Sequence, residues 1–151
     1  MKILIATDGS KQAEAAIETS AKFIKSVTHI RVISIVEPRY AIAGEPFMVS
    51  AELYAEAEEN ERKKAGETVT NSTAKLKDLF ETEKPEISGE VFTGNPSQMI
   101  VEEAEKWKAD LIILGSHGYG FWHRTLLGSV SDAVMHHAPC SVLIVRDNGN
   151  S

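Results

Sequence analysis

The chain has 151 residues, 42% hydrophobic and 25% charged, which suits one soluble globular domain and leaves no room for a second. Its formal net charge of −6 argues against a nucleic-acid surface, because binding a phosphate backbone needs clustered Lys and Arg. No apolar stretch reaches the roughly eighteen residues that span a bilayer, and the run opening MKILIATDGS is too short for a secretory core, so a cytoplasmic chain without membrane contact is expected.

In chain order, Ile3 to Ala6 is a short apolar run followed at once by the turn signal Asp8-Gly9-Ser10, which predicts a strand, a turn and a helix. Ala13, Ala16, Ile17, Ala21 and Ile24 then recur at helical spacing, with Ser10 placed to cap and Glu14 near the first turn. His29 to Val36 reads as a second strand, closed by Pro38. A loop from Arg39 to about Phe47 leads into a long helix over roughly 49–81. Its polar start, AEAEENERKK, reads as a solvated face, and Ala65, Val69, Ser72, Leu76 and Leu79 continue its buried stripe. Gly66 weakens that helix without needing to break it.

Ile87, Gly89 and Val91 alternate with Ser88, Glu90 and Phe92, the pattern of a half-exposed strand near a sheet edge. Asn95-Pro96-Ser97-Gln98 opens a third helix, with Asn95 at the N-cap, Pro96 at the first helical position and Ile100, Val101, Ala104 and Trp107 on the buried side. Leu111 to Leu114 is the fourth strand, Val130 to His136 the fourth helix, and Ser141 to Val145, after Pro139, the fifth strand. Cys140 is the one cysteine, so an internal disulfide and a four-thiolate zinc site are excluded, and it reads as a small buried thiol.

Strands alternating with helices imply parallel strands joined by right-handed crossovers, hence an α/β doubly wound sheet with helices on both faces. With the strand at Ile87 on an edge, the order 3-2-1-4-5 fits, and the winding reverses between strands 1 and 4. Ligands of such sheets bind at that crevice, outside the carboxyl ends of the strands. Those ends carry Thr7-Asp8-Gly9 and Gly115-Ser116-His117-Gly118, two turns that would face each other.

The second turn belongs to a longer frame, G-x2-G-x9-G-S, formed by Gly115, Gly118, Gly128 and Ser129. A buried strand that ends in a glycine-rich turn and runs on to a helix N-terminus presents unpaired N–H groups and a positive dipole end, which suits a phosphate. From Leu111 to Ser131 there is no acidic residue, while His117, His123 and Arg124 fall inside the window, so anion binding is the better reading.

The frame, the opening KILIATDGS and the β-α order together resemble the universal stress protein family, in its branch with an intact glycine motif, over nearly the whole chain. The resemblance implies a five-stranded sheet of the adenine nucleotide alpha hydrolase-like kind over residues 1–147, with 148–151 a frayed tail, and a bound adenine nucleotide, usually ATP. It also implies a homodimer built through the last strand. Carried over residue by residue, Gly115 and Gly118 look like the loop whose backbone wraps ribose and phosphates, with Gly128, Ser129 and Val130 taking the phosphates. Thr7 and Asp8 look like the first-strand terminus that meets adenine, ribose, phosphate or a bridging Mg2+. Ile35 and Leu114 resemble positions lining the adenine pocket.

Bland readings stand beside these. Asp8 before Gly-Ser is often only a turn former, Ser129 can be a plain N-cap in a box with Asp132, and Ile35 and Leu114 can equally be core. Arg124 can pair with phosphate or simply sit on the surface. Tyr119, Phe121 and Trp122 depart from the generic loop and are read, over a cover for the nucleotide, as a dimer interface or a patch for a protein partner. The histidines at 117, 123, 136 and 137 have no carboxylate pair spaced to join them, so no protein metal site is expected. Asn71-Ser72-Thr73 matches a glycosylation acceptor but lies in a helical pattern and is discarded.

The G-x-x-x-x-G-K-[ST] loop is absent and no lysine lies between Leu111 and Ser131, so the expectation is a nucleotide-binding regulator. A slow or partner-stimulated ATP hydrolase is the alternative, and a nucleotide-free scaffold ranks last. Val142, Leu143, Ile144 and Val145 are apolar on both faces of an edge strand, which independently favours a homodimer paired through strand 5.

Overall fold

Successive side chains of a strand point to opposite faces, so an apolar strand inside a sheet needs a cover on both sides. A computed structural model describes residues 1–38, 50–116 and 127–146. In chain order these form β1 (Lys2–Ala6), α1 (Lys11–Phe23), β2 (His29–Val36), α2 (Ala51–Leu79), β3 (Glu86–Thr93), α3 (Pro96–Trp107), β4 (Leu111–Gly115), α4 (Ser129–His137) and β5 (Ser141–Val145). The sheet runs β3-β2-β1-β4-β5 and every pairing is parallel, as the pattern predicts.

Alternation sorts the strands into two cores. Ile3, Ile5, Ile30, Val32 and Ile113 pack with Ile17 of α1 and Val69 and Leu76 of α2 on one face. Leu4, Ile33, Ile112 and Leu114 pack with Ile100 and Ala104 of α3 and Val134 of α4 on the other. Each such side chain removed from water contributes roughly 1.5–3 kcal/mol before the entropy of ordering is subtracted. On the second face Arg31 of β2 reaches the buried carboxylate of Glu103 in α3, and Trp107 stacks under both Arg31 and Lys2.

Caps start the helices where the sequence signals them. Ser10 accepts from the Ala13 N–H, Ser50 from Leu53 and Asn95 from Gln98, at 3.2, 3.3 and 3.1 Å. The Gln98 side chain donates to Glu102 instead of turning back to Asn95, so the capping box there is only half formed. α3 stops at Lys108, which takes a left-handed conformation with φ 56°. β3 is a half-exposed edge strand, as its alternation indicates.

The alternative reading of Ser129 as a plain N-cap does not hold at α4. Gly128, not Ser129, is the N-cap, and Ser129 is the first helical residue. The Gly128 carbonyl accepts from the Asp132 N–H at 2.9 Å and also from the Ser131 hydroxyl at 2.9 Å. A Ser129–Asp132 box therefore does not form, and Asp132 lies 3.8 Å from His136 one turn on.

Candidate functional site

The register of the sheet makes a step. Ala6, the last residue of β1, lies level with Ile33, which pairs with Glu90. β2 and β3 continue three residues further, to Val36 and Thr93, so they rise about 10 Å above the end of β1. A shelf is left over β1 and β4, walled on one side by β2.

Two glycines let other elements close on that shelf. Gly9 has φ +77°, which glycine adopts without penalty, and a Cβ there would stand 2.9 Å from the Thr68 hydroxyl of α2. Gly115 ends β4, and a Cβ on it would lie 3.0 Å from the backbone of Gln12 and Ala13 at the start of α1. Gly115 therefore has a packing role beside its place at the cleft, since its bare backbone lets β4 sit close on α1.

α2 supplies a further wall. A Cβ on Gly89 would come 2.4 Å from Val69, so the helix sits tight against β3 there, and Arg62 donates to the Thr93 hydroxyl at 2.6 Å. Arg62 thus ties α2 to the top of β3, with the eleven residues from Ala51 to Glu61 preceding that contact in the helix.

The remaining side is the start of α4. The Ser116 carbonyl accepts from the Gly128 N–H at 2.9 Å and from the Ser131 hydroxyl at 3.1 Å, while its own N–H donates to Val145 at 2.9 Å. Residues 116 and 128 are thereby pinned together, and the first turn of α4 opens toward the shelf with no side-chain cap on its N–H groups.

These elements enclose a cleft of about 1040 Å³. Among the sequence-predicted residues, Thr7, Asp8, Ile35, Leu114, Gly115, Gly128, Ser129 and Val130 all line it. Gly118, Arg124, His117, His123, Tyr119, Phe121 and Trp122 lie outside the described residues. Thr7 is 5% exposed; its N–H donates to Ile33 and its hydroxyl accepts from Gly9. One Asp8 oxygen accepts from the Ser10 N–H at 2.9 Å, so the turn-forming role is real, and the exposed carboxylate still borders the cleft. Leu114 belongs to the second core and Ile35 packs against it, yet both border the cleft, so core and lining are not exclusive here.

Sequence reasoning missed the contribution of α2. Glu61, Lys64, Ala65 and Thr68 line the cleft at one-turn spacing, so part of the stretch read as a solvated face is a wall of the site. The signal was the i, i+3, i+4, i+7 repeat, hidden because two of its members are charged. Ser34, Glu37, Pro38, Pro96 and Ile100 were also unassigned. Among the described residues no three His, Cys, Asp or Glu side chains stand together as a metal site, and no helix is long and apolar enough to cross a membrane.

The cleft fits a nucleotide in size and chemistry. It lies at the upper end of the usual range for small-molecule sites. It offers apolar side chains for a base, hydroxyl and carboxylate groups at the end of β1, and free helix N–H groups for an anion.

Comparison with known proteins identifies the family. A family model described as the universal stress protein family matches residues 1–146. A universal stress protein of Methanocaldococcus jannaschii is 38% identical over 149 residues, covering 96% of this chain and 81% of the relative. Among solved structures, a universal stress protein family protein of Arabidopsis thaliana with AMP bound superposes with a TM-score of 0.69 at 19% identity, covering 98% of this chain and 92% of that one. A universal stress protein in complex with cAMP gives 0.61 at 21% identity, with 96% of each chain covered. The chain belongs to the universal stress protein family.

Proposed function

We propose that this protein is an adenine-nucleotide-binding stress-response regulator, with ATP as the expected occupant and with output through occupancy-dependent conformation or partner choice. The observation that carries the reading is the cleft over the shelf formed by β1 and β4, bounded by the uncapped start of α4. Gly128, Ser129 and Val130 would receive the phosphates, Thr7 and Asp8 the ribose side, and Ile35 and Leu114 the base. Gly115 would join them through its backbone, with Gly118 and Arg124 completing the frame. A magnesium ion carried by the phosphates would find in Asp8 a partner of the right chemistry. Structural relatives with AMP and with cAMP support an adenine nucleotide as the ligand class. The glycine frame carries no lysine to clamp a transferring phosphoryl group, so retention is the proposed activity and slow hydrolysis the second reading.

A homodimer is part of the same proposal. β5 is an edge strand, and Val142, Leu143 and Ile144 are only half-buried on it while Val145 is covered. A second copy pairing antiparallel along β5 would satisfy the open edge. Size measurement over a wide concentration range would show a dimer; a monomer throughout would refute it.

The nucleotide is tested by denaturing purified protein and identifying what it releases. Intact ATP supports retention, ADP or AMP supports turnover, and repeated absence of any nucleotide refutes the reading. Ser129→Glu sharpens the test, because an acid in the first turn favours the helix but repels a phosphate. Nucleotide retention should be lost with the melting temperature unchanged or slightly raised.

A further inference from the structure

We infer that Lys64, on α2, is the residue by which this site distinguishes adenine nucleotides by their number of phosphates. The inference rests on the nucleotide-binding reading above and concerns the same cleft. Lys64 is the one cationic side chain among its described lining residues, against four carboxylates: Asp8, Glu37, Glu61 and Glu67. A nucleotide with a long phosphate chain brings several negative charges into a space already lined by acids, and like charges there raise the cost of entry. The start of α4 offers N–H groups, and a helix terminus carries only about half a charge. Lys64 supplies a full one from another wall.

Its position is fixed by packing. Val69 is held against Gly89, Thr68 against Gly9, and Arg62 against Thr93, so α2 cannot slide along the sheet without losing all three contacts. Gly89 pairs with Val32, which pairs with Ile5, so Val69 lies level with the end of β1. Lys64 is five residues nearer the helix start, about 7 Å higher, and therefore stands above the shelf and not beside the strand. Thr68 and Ala65, on the same face, border the same space.

The Lys64 ammonium is free to exchange partners. It lies 3.6 Å from Glu61, three residues before it, with side-chain exposures of 72% for Lys64 and 42% for Glu61. Such a solvated pair holds weakly. A phosphate oxygen, with more charge and stronger acceptor character than a carboxylate, would displace Glu61. AMP, with a single phosphate at the ribose end, gains least from this exchange and ATP most.

The test is calorimetric titration of AMP, ADP and ATP into the full chain, as wild type, Lys64→Gln and Lys64→Arg. In wild type, affinity should rise with phosphate number. In Lys64→Gln the preference for ATP over AMP should shrink by about fivefold, with AMP affinity nearly unchanged, as expected for one partly solvated charge contact. Lys64→Arg, which keeps the charge, should restore the preference. An unchanged preference in Lys64→Gln, or equal weakening of all three ligands, would overturn the role of Lys64 while leaving nucleotide binding intact. Wild-type protein that binds none of the three would overturn both readings.

Discussion

Replacing Gly115 with alanine separates the two reasons a glycine can stand at the end of β4. The added Cβ would lie 3.0 Å from the Ala13 nitrogen and the Gln12 carbonyl carbon, and 3.1 Å from the Gln12 oxygen. All three atoms are backbone at the start of α1, so no side chain can swing away and the helix itself has to shift. Overpacking of this kind costs roughly 1–3 kcal/mol, offset by about 0.4–1 kcal/mol from the smaller conformational freedom of alanine in the unfolded chain. A net loss near 1.5 kcal/mol lowers the melting temperature of a domain this size by about 3–6 °C. Thermal and urea unfolding without nucleotide measure it, with an unchanged m-value showing that only stability moved. A variant as stable as wild type that has lost its nucleotide would refute the packing explanation and return Gly115 to a purely ligand-facing role.

Gly66 provides the contrast, since a Cβ there meets nothing within 4 Å in the middle of α2. Gly66→Ala should therefore stabilise the protein by about 0.5–1 kcal/mol in the same unfolding assay, and a loss of stability would contradict the open space. The hydrogen bond and charge of Lys75 hold the Glu18 carboxyl below its ordinary value. A depressed folded-state pKa adds stability that is present at neutral pH and lost as pH falls through that lowered value. Glu18→Gln should flatten the acid limb of the stability profile slightly, by a few tenths of a kcal/mol for so exposed a pair; an unaltered limb would count against the contact. Burial, and secondarily Asp110, push the Cys140 thiol up, so it stays protonated at neutral pH. Being half-buried, it should be labelled by a disulfide reagent more slowly in folded than in unfolded protein, and equal rates would refute that partial shielding.

How much of this was legible beforehand follows from periodicity. Short apolar runs closed by turn residues, as at Ile3–Ala6 and Leu111–Leu114, declare buried parallel strands, and the alternation around Gly89 declares an edge. The strand order then followed from a single edge assignment. Caps were readable at Ser10 and Asn95 because each stands alone before its helix. At α4 two candidates are adjacent, and the choice of Gly128 over Ser129 depends on the Ser116 carbonyl, thirteen residues before Ser129 and invisible to local pattern. The glycine frame pointed to one side of the site. The α2 side was obscured because Glu61 and Lys64 have the composition of a solvent face, and only the register of helix on sheet turns them toward the cleft. The contact of Gly115 with α1 is not legible locally, because that helix lies a hundred residues earlier in the chain.

The two bonds that meet at the Ser116 carbonyl decide where the start of α4 gets its rigidity. They close the chain between Ser116 and Gly128 at its base, and the Ser116 N–H ties that base to the end of β5. With the ends held by the scaffold, lengthening the enclosed segment changes the closure entropy only logarithmically, by about 0.6 kcal/mol for each doubling. The start of α4 therefore keeps its place through bonds that lie outside the enclosed segment. The geometry of the turn proposed to receive phosphate is thus set by β4 and β5, through bonds made by Ser116 and not by the turn itself.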